Sequence, residues 1–125
     1  MKIAFLEKFS ISDEDSSNAR LWPVKVKQNP SKVMEMLKLY MGNKGYYNIK
    51  EYRDYLEING MIGNASITYH LVNDDNGIVK IGCSVYYPSI GKSRGILYSL
   101  LEELDKLLDQ TKTSIEDVKD NSIYK

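Results

Sequence analysis

Cysteine and histidine are nearly absent from this chain, and their scarcity excludes several kinds of site. The chain has one of each, Cys83 and His70. A structural zinc site takes four ligands and an internal disulfide takes two thiols, so cysteine and histidine alone can form neither. Cys83 falls on the apolar side of a predicted strand, where we expect it to be buried and unreactive. We therefore predict no metal, no cofactor and no disulfide framework.

Long hydrophobic runs are also absent. No segment approaches the roughly 18 apolar residues that a membrane span requires. Glu7 interrupts the short apolar run at the N-terminus before it reaches the length of a signal peptide. A lone cysteine fits a reducing compartment. These absences predict a cytoplasmic protein that makes no contact with a membrane.

The composition is that of one globular domain. Of the 125 residues, 42% are hydrophobic and 27% are charged, which is ordinary for a folded domain that needs no cross-links. We expect a single domain over residues 1–125, with residues 111–125 as a frayed C-terminal tail. The formal net charge is zero, but residues 20–50 hold seven lysines and arginines against Glu35 alone. Such a stretch either steers an acidic partner or lies on solvated faces.

The first 42 residues show two strand patterns and one helix pattern. Residues 2–11 and 20–28 alternate with a period of two, which indicates strands. Asn29 is a good N-cap residue and Pro30 follows it at the first helical position, so a helix should begin there. Gly42 suits the C-terminal cap of that helix.

The middle of the chain predicts a second helix and then a hairpin. Asn48 and Glu51 have the spacing of a capping box, which favours a helix over residues 48–60, although tyrosine-rich stretches also favour strands. Residues 66–71 and 79–86 alternate between apolar and polar side chains. The Asn-Asp-Asp-Asn-Gly segment between them is typical of a turn. The hairpin should therefore place its apolar residues on one face.

The last helix completes the predicted fold. Leucines recur at helical spacing over residues 93–110, which is the strongest helical pattern in the chain. The resulting order is ββααββα. It predicts an α+β fold with a four-stranded, mostly antiparallel sheet and helices packed on one face.

A short glycine-containing segment precedes that last helix and is the first candidate site. A serine nucleophile at Ser93 would need a histidine later in the chain, yet His70 comes before it, and a P-loop would need glycine where Tyr86 stands. What remains is a helix N-terminus with two added positive charges, which can bind a phosphate or a carboxylate or simply cap the helix. The predicted anion-binding residues are Gly91, Lys92, Ser93 and Arg94. A small transferase or hydrolase is one alternative that this loop would serve.

A cluster of tyrosines among basic residues is the second candidate site. Tyrosine gives a large, rigid contact area with a polar end and is enriched at protein interfaces, although it also serves as a core aromatic. The predicted partner-binding residues are Lys44, Tyr46, Tyr47, Lys50, Tyr52 and Tyr55. The same combination can stack single-stranded nucleic acid, but the pI of 6.6 is low for a nucleic-acid binder.

These features predict an interaction protein rather than an enzyme. No catalytic residue is expected, since no acidic side chain on the strands of the hairpin can orient His70 as a general base. We expect a small accessory or inhibitor protein, of the kind carried by phages or mobile elements, that docks on a protein partner through the tyrosine-rich surface. An enzyme of the Gly91 loop and a single-stranded nucleic-acid binder are the alternatives, and the sequence does not give the oligomeric state.

Overall fold

A computed structural model describes the backbone of residues 8–74 and 76–124 and the side chains of residues 8–74 and 76–108. Over these residues the order of elements is ββαββββα. The strands are β1 (Phe9–Ile11), β2 (Val24–Val26), β3 (Tyr47–Tyr52), β4 (Glu57–Ile62), β5 (Ala65–Asn73) and β6 (Val79–Tyr86). The helices are α1 (Pro30–Lys44) and α2 (Ser93–Tyr124), with single 3-10 turns at Ala19–Leu21 and Arg53–Tyr55.

The six strands form one antiparallel sheet, where the sequence predicted four. The strand order is β1-β6-β5-β4-β3, and β2 also pairs with β6. Phe9 of β1 lies opposite Tyr86 at one end of β6, and Val26 of β2 lies opposite Val79 at its other end. The two short strands therefore share one edge of the sheet, and six strands occupy five positions.

The second helix predicted over residues 48–60 is wrong, because that segment forms β3 and β4. Every residue of β4 pairs with one of β5, so the segment is held in the sheet by a long-range partner. Two residues with left-handed backbone make the path possible: Leu56 (φ 53°) closes the turn between the strands, and Asn48 (φ 52°) lies in an irregularity of β3 opposite Gly60. The capping-box spacing is a local signal, and pairing with strands distant in the sequence outweighed it. A single sequence window does not contain those partner strands.

Local signals did predict the first helix and the hairpin. The Asn29 side chain accepts a hydrogen bond from the Ser31 backbone N–H at 2.8 Å, and Pro30 is the first residue of α1. The helix passes through Gly42 and is capped by Gly45, whose φ is 91°. Residues 66–73 of β5 pair with the whole of β6, and the alternating apolar residues of the predicted hairpin share one face.

Both helices cover that same face, and one core lies between them and the sheet. The core includes Val33, Met34, Leu37 and Met41 of α1, Leu97, Leu100, Leu101, Leu104 and Leu108 of α2, and Ile58, Ile67, Tyr69, Leu71, Val79, Ile81, Cys83 and Val85 of the sheet. The backbone of α2 continues past residue 110, where the leucine pattern predicted its end. The predicted tail at 111–125 lies outside the residues whose side chains are described.

Candidate interaction surface

The face of the sheet opposite the helices is uncovered by any described element, and we call it the open face. Its outward side chains form rows across the strands, as the pairing register shows. The first row is Phe9, Tyr86, Ser66, Met61 and Tyr47, and the second is Ile11, Ser84, Thr68, Asn59 and Lys50. The third row is Gly82, His70, Glu57 and Tyr52, and the fourth is Lys25, Lys80 and Val72.

Large apolar side chains are concentrated on the open face. A solvated face of an antiparallel sheet normally carries polar residues. Here six large apolar or aromatic side chains on this one face are each between 45% and 51% exposed: Phe9, Ile11, Tyr47, Tyr52, Val72 and Tyr86. Exposed apolar side chains grouped on one face make that face a candidate interaction site.

The centre of the open face is polar. Asn59 is fixed in place, because its Nδ2 donates to Thr68 Oγ1 at 2.9 Å and to the Ile67 carbonyl at 3.0 Å. The His70 ring lies directly over Gly82, where a Cβ would come within 2.4 Å of its Nε2. Small residues therefore form a floor, and the larger aromatic side chains stand around it.

The open face is weakly basic. Its strands contribute Lys25, Lys50 and Lys80 against Glu57. Lys80 Nζ lies 2.9 Å from Glu14 Oε2. The hydrogen bond and the charge of Lys80 lower the pKa of the Glu14 carboxyl, and the same contact raises the pKa of Lys80. The two cations left without a described ion pair, Lys25 and Lys50, stand near opposite edges of the sheet.

The structure divides the predicted tyrosine cluster between the two faces. Tyr47, Lys50 and Tyr52 lie on the open face. Tyr46 is only 6% exposed and belongs to the core, and Lys44 forms an ion pair with Glu103 of α2. Tyr55 is exposed in the 3-10 turn between β3 and β4. Adjacent strand residues point to opposite faces, so one sequence cluster cannot form one surface.

The partner-binding residues predicted from the sequence did not include Phe9 of β1 or its neighbour Tyr86. The alternation of residues 2–11 places Phe9 and Ile11 on the same apolar side of a strand, which is the side normally buried. In the structure both are exposed and Ser10 is buried. Ser10 Oγ is 2.8 Å from the Oγ of Ser93, which is also fully buried, so a polar pair joins β1 to the start of α2. The outward position of Tyr86 in the predicted hairpin was the available signal for this part of the surface.

Tyr46 is part of a buried tyrosine cluster on the helical side of the sheet. Its hydroxyl is 2.9 Å from that of Tyr69, and the Tyr40 ring packs within 6.4 Å of both rings. Burial raises the pKa of all three phenols, and burial likewise raises the pKa of the Cys83 thiol. Cys83 is buried, as the sequence predicted.

Tyr69→Phe is expected to lower the free energy of unfolding by about 1–3 kcal/mol, because it leaves the buried Tyr46 hydroxyl without its partner. The double variant Tyr46→Phe/Tyr69→Phe removes both hydroxyls and should cost less than the sum of the single variants. Urea denaturation of the four proteins measures the interaction energy. Strictly additive effects would show that the two hydroxyls do not depend on each other.

The predicted anion-binding loop has an interior serine. Gly91 has a left-handed backbone with φ of 83°, and α2 begins at Ser93. Ser93 is fully buried, so its hydroxyl faces the interior instead of a ligand. Lys92 is exposed, and the Nε of Arg94 is shielded from solvent without a hydrogen bond to any described residue. The loop precedes α2 as the sequence predicted, but the hydroxyl of Ser93 is not available to a ligand.

Comparison with known proteins does not assign the chain to a family. No family model, no curated protein and no solved structure matches the chain. Among the described residues, no three histidine, cysteine, aspartate or glutamate side chains gather as a metal site would require. Within the same residues, no helix has the length and apolar character to cross a membrane.

Proposed function

We propose that this chain is a non-enzymatic interaction protein that docks through its open face on an acidic surface of a protein partner. One observation carries the proposal: six large apolar side chains stand half exposed on a sheet face that no described element covers. Burying them would contribute binding free energy, and the surrounding lysines would favour a partner of negative charge. A small accessory or inhibitor protein acts by such docking.

The row from Phe9 through Tyr86 and Met61 to Tyr47 supports this proposal. Phe9 and Tyr86 are direct cross-strand neighbours, and Tyr47 lies at the far edge with its hydroxyl donating to the Gly63 carbonyl at 2.7 Å. Anchored aromatic rings lose little conformational entropy on binding, so they suit the centre of an interface. The row crosses all five strand positions, and a partner helix or strand laid across the sheet would contact each of them.

Charge favours a protein over a nucleic acid at this face. Each phosphate contact needs a free cation, and non-specific affinity grows with the number of such contacts. On the open face Lys80 already forms an ion pair with Glu14, and Glu57 lies in the third row between His70 and Tyr52. The phosphate backbone of a nucleic acid crossing the face would be repelled by the Glu57 carboxylate. An acidic patch on a protein can contact Lys50 without covering Glu57.

The test is affinity capture with matched surface variants. Phe9→Ser/Tyr86→Ser removes two rings from the open face, and Leu39→Ser/Ile90→Ser removes two apolar side chains that are even more exposed and lie elsewhere. Wild type and the Leu39/Ile90 variant should recover the same stoichiometric protein from a lysate of the source cells. The Phe9/Tyr86 variant should lose it, while circular dichroism and melting temperature confirm that all three chains fold.

A titration with the purified partner then tests the charge. Lys50→Glu should weaken binding about tenfold or more at low salt, because it reverses an exposed charge on the face, and added salt should reduce the difference. Three outcomes would contradict the proposal: recovery of nucleic acid in place of a protein, equal loss of the partner in both double variants, or no stoichiometric partner at all.

A further inference from the structure

A groove lies away from the centre of the open face, between residues 14–25 and α2, and we call it the Trp22 groove. Its volume is about 650 Å³. Trp22 lines it and is half exposed, and the buried side chain of Leu101 on α2 contributes to its wall. The volume falls within the range of pockets that hold a small molecule or a short peptide segment.

The walls of the Trp22 groove are held by specific contacts. Trp22 Nε1 donates to the Ser16 carbonyl at 2.7 Å, and Asn18 Nδ2 donates to the Tyr98 hydroxyl at 2.8 Å. The Arg20 guanidinium is 3.1 Å from Glu102 Oε1 and also lies over the Tyr98 ring. Because the indole N–H already has an acceptor, Trp22 can contact a ligand through its aromatic ring but has no N–H left to donate.

The groove is acidic. Its lining has four carboxylates, those of Glu14, Asp15, Glu102 and Asp105, against two cations, Arg20 and Lys25. Glu14 is paired with Lys80 and Glu102 with Arg20. Asp15, on the loop, and Asp105, on α2, have no ion pair with any described residue. Lys25 has none either, so the unpaired charges of the lining are two carboxylates against one ammonium.

An indole ring and two unpaired carboxylates line the same groove, and this combination suits a guanidinium group. A planar guanidinium stacks on indole through cation–π attraction, and its N–H fork donates to carboxylates in charge-assisted hydrogen bonds. We infer that the Trp22 groove binds an arginine side chain of a basic peptide segment, stacked on Trp22 and paired with Asp15 and Asp105. This site is separate from the aromatic row of the open face and does not depend on the function proposed above.

Trp22 allows a direct test, because it is the only tryptophan of the chain. Titrating the full chain with an acetylated, amidated tetra-arginine peptide should give a saturable change in tryptophan emission. The tetra-citrulline peptide has the same shape without the charge and should give none. Asp15→Asn/Asp105→Asn should weaken binding of the arginine peptide about tenfold or more, since it removes both carboxylate charges that would pair with the guanidinium.

Asp54→Asn is the matched control, since it removes one exposed carboxylate beside β3, outside the groove. Binding of the arginine peptide by this variant should equal that of wild type. The inference is overturned if tetra-arginine leaves the emission unchanged at millimolar concentration, if citrulline binds as tightly, or if Asp54→Asn weakens binding as much as the double variant. Spermidine binding as tightly as the peptide would overturn the preference for guanidinium.

Discussion

Raising the pH above 10 is expected to unfold this protein over a narrow range. Tyr46 and Tyr69 are at most 6% exposed, and burial holds the pKa of both above the ordinary value of 10.0. The folded chain therefore keeps two protons that the unfolded chain releases above pH 10. Stability is fully present below that pH and is lost as the pH rises, because the unfolded state then binds fewer protons.

The expected effect is large. Each buried phenol lowers the free energy of unfolding by about 1.4 kcal/mol per pH unit above 10. The buried Cys83 adds a similar slope above its ordinary pKa of 9.0. By about pH 12 these three groups together remove several kcal/mol, which is comparable with the whole stability of a small domain.

Parallel titrations measure this effect. Far-ultraviolet circular dichroism reports folding, and tyrosinate absorbance counts ionised phenols among the ten tyrosines of the chain. We expect the last tyrosines to ionise only as the circular dichroism signal is lost. Tyr46→Phe/Tyr69→Phe should remove about 2.8 kcal/mol per pH unit of the slope. Ionisation of all ten phenols in a chain that stays folded would contradict the burial of this cluster.

Gly60→Ala is expected to lower the free energy of unfolding by about 1–3 kcal/mol, as overpacking of a core does. A Cβ at this position would lie 2.7 Å from Met41 Cε and 3.1 Å from Tyr46 Cδ2. Met41 is a flexible side chain of α1, but it is fully buried in the core, where close packing opposes its displacement. The chain must then shift α1 away from β4 or strain a side chain.

Gly95→Ala is the matched control and should change stability in the opposite direction. A Cβ there would meet nothing within 4 Å, and alanine in a helix is favoured over glycine by about 0.5–1 kcal/mol. Urea denaturation of wild type and the two variants compares them directly. Equal stability of Gly60→Ala and wild type would show that α1 does not press on β4 at this point.

Gly60 also shows why part of the fold escaped sequence analysis. Read alone, it looks like the cap of the helix predicted over residues 48–60, because glycine ends helices. In the structure it lies in β4, where α1 packs close to the sheet backbone. The reason is contact with a residue nineteen positions earlier, Met41, and no local pattern contains that information.

The candidate surface could be predicted only in part from the sequence, for a similar reason. Tyrosine content and basic charge correctly indicated Tyr47, Lys50 and Tyr52 as exposed residues, but the same signal included Tyr46, which lies in the core. Phe9 and Tyr86 are 77 positions apart in the chain and adjacent in the sheet. Only the pairing of β1 with β6 makes them one surface.

The sequence by itself determined the elements whose signals are local. Asn29 and Pro30 start α1, the turn before β6 forms the hairpin, and regularly spaced leucines form α2, because caps, turns and helical faces depend on residues a few positions apart. The tertiary structure decided what the sequence left open: that residues 47–62 are strands, which tyrosines are buried, and that Trp22 faces a groove beside α2. Strand pairing and packing join residues distant in the chain, and their energies depend on partners that no local window includes.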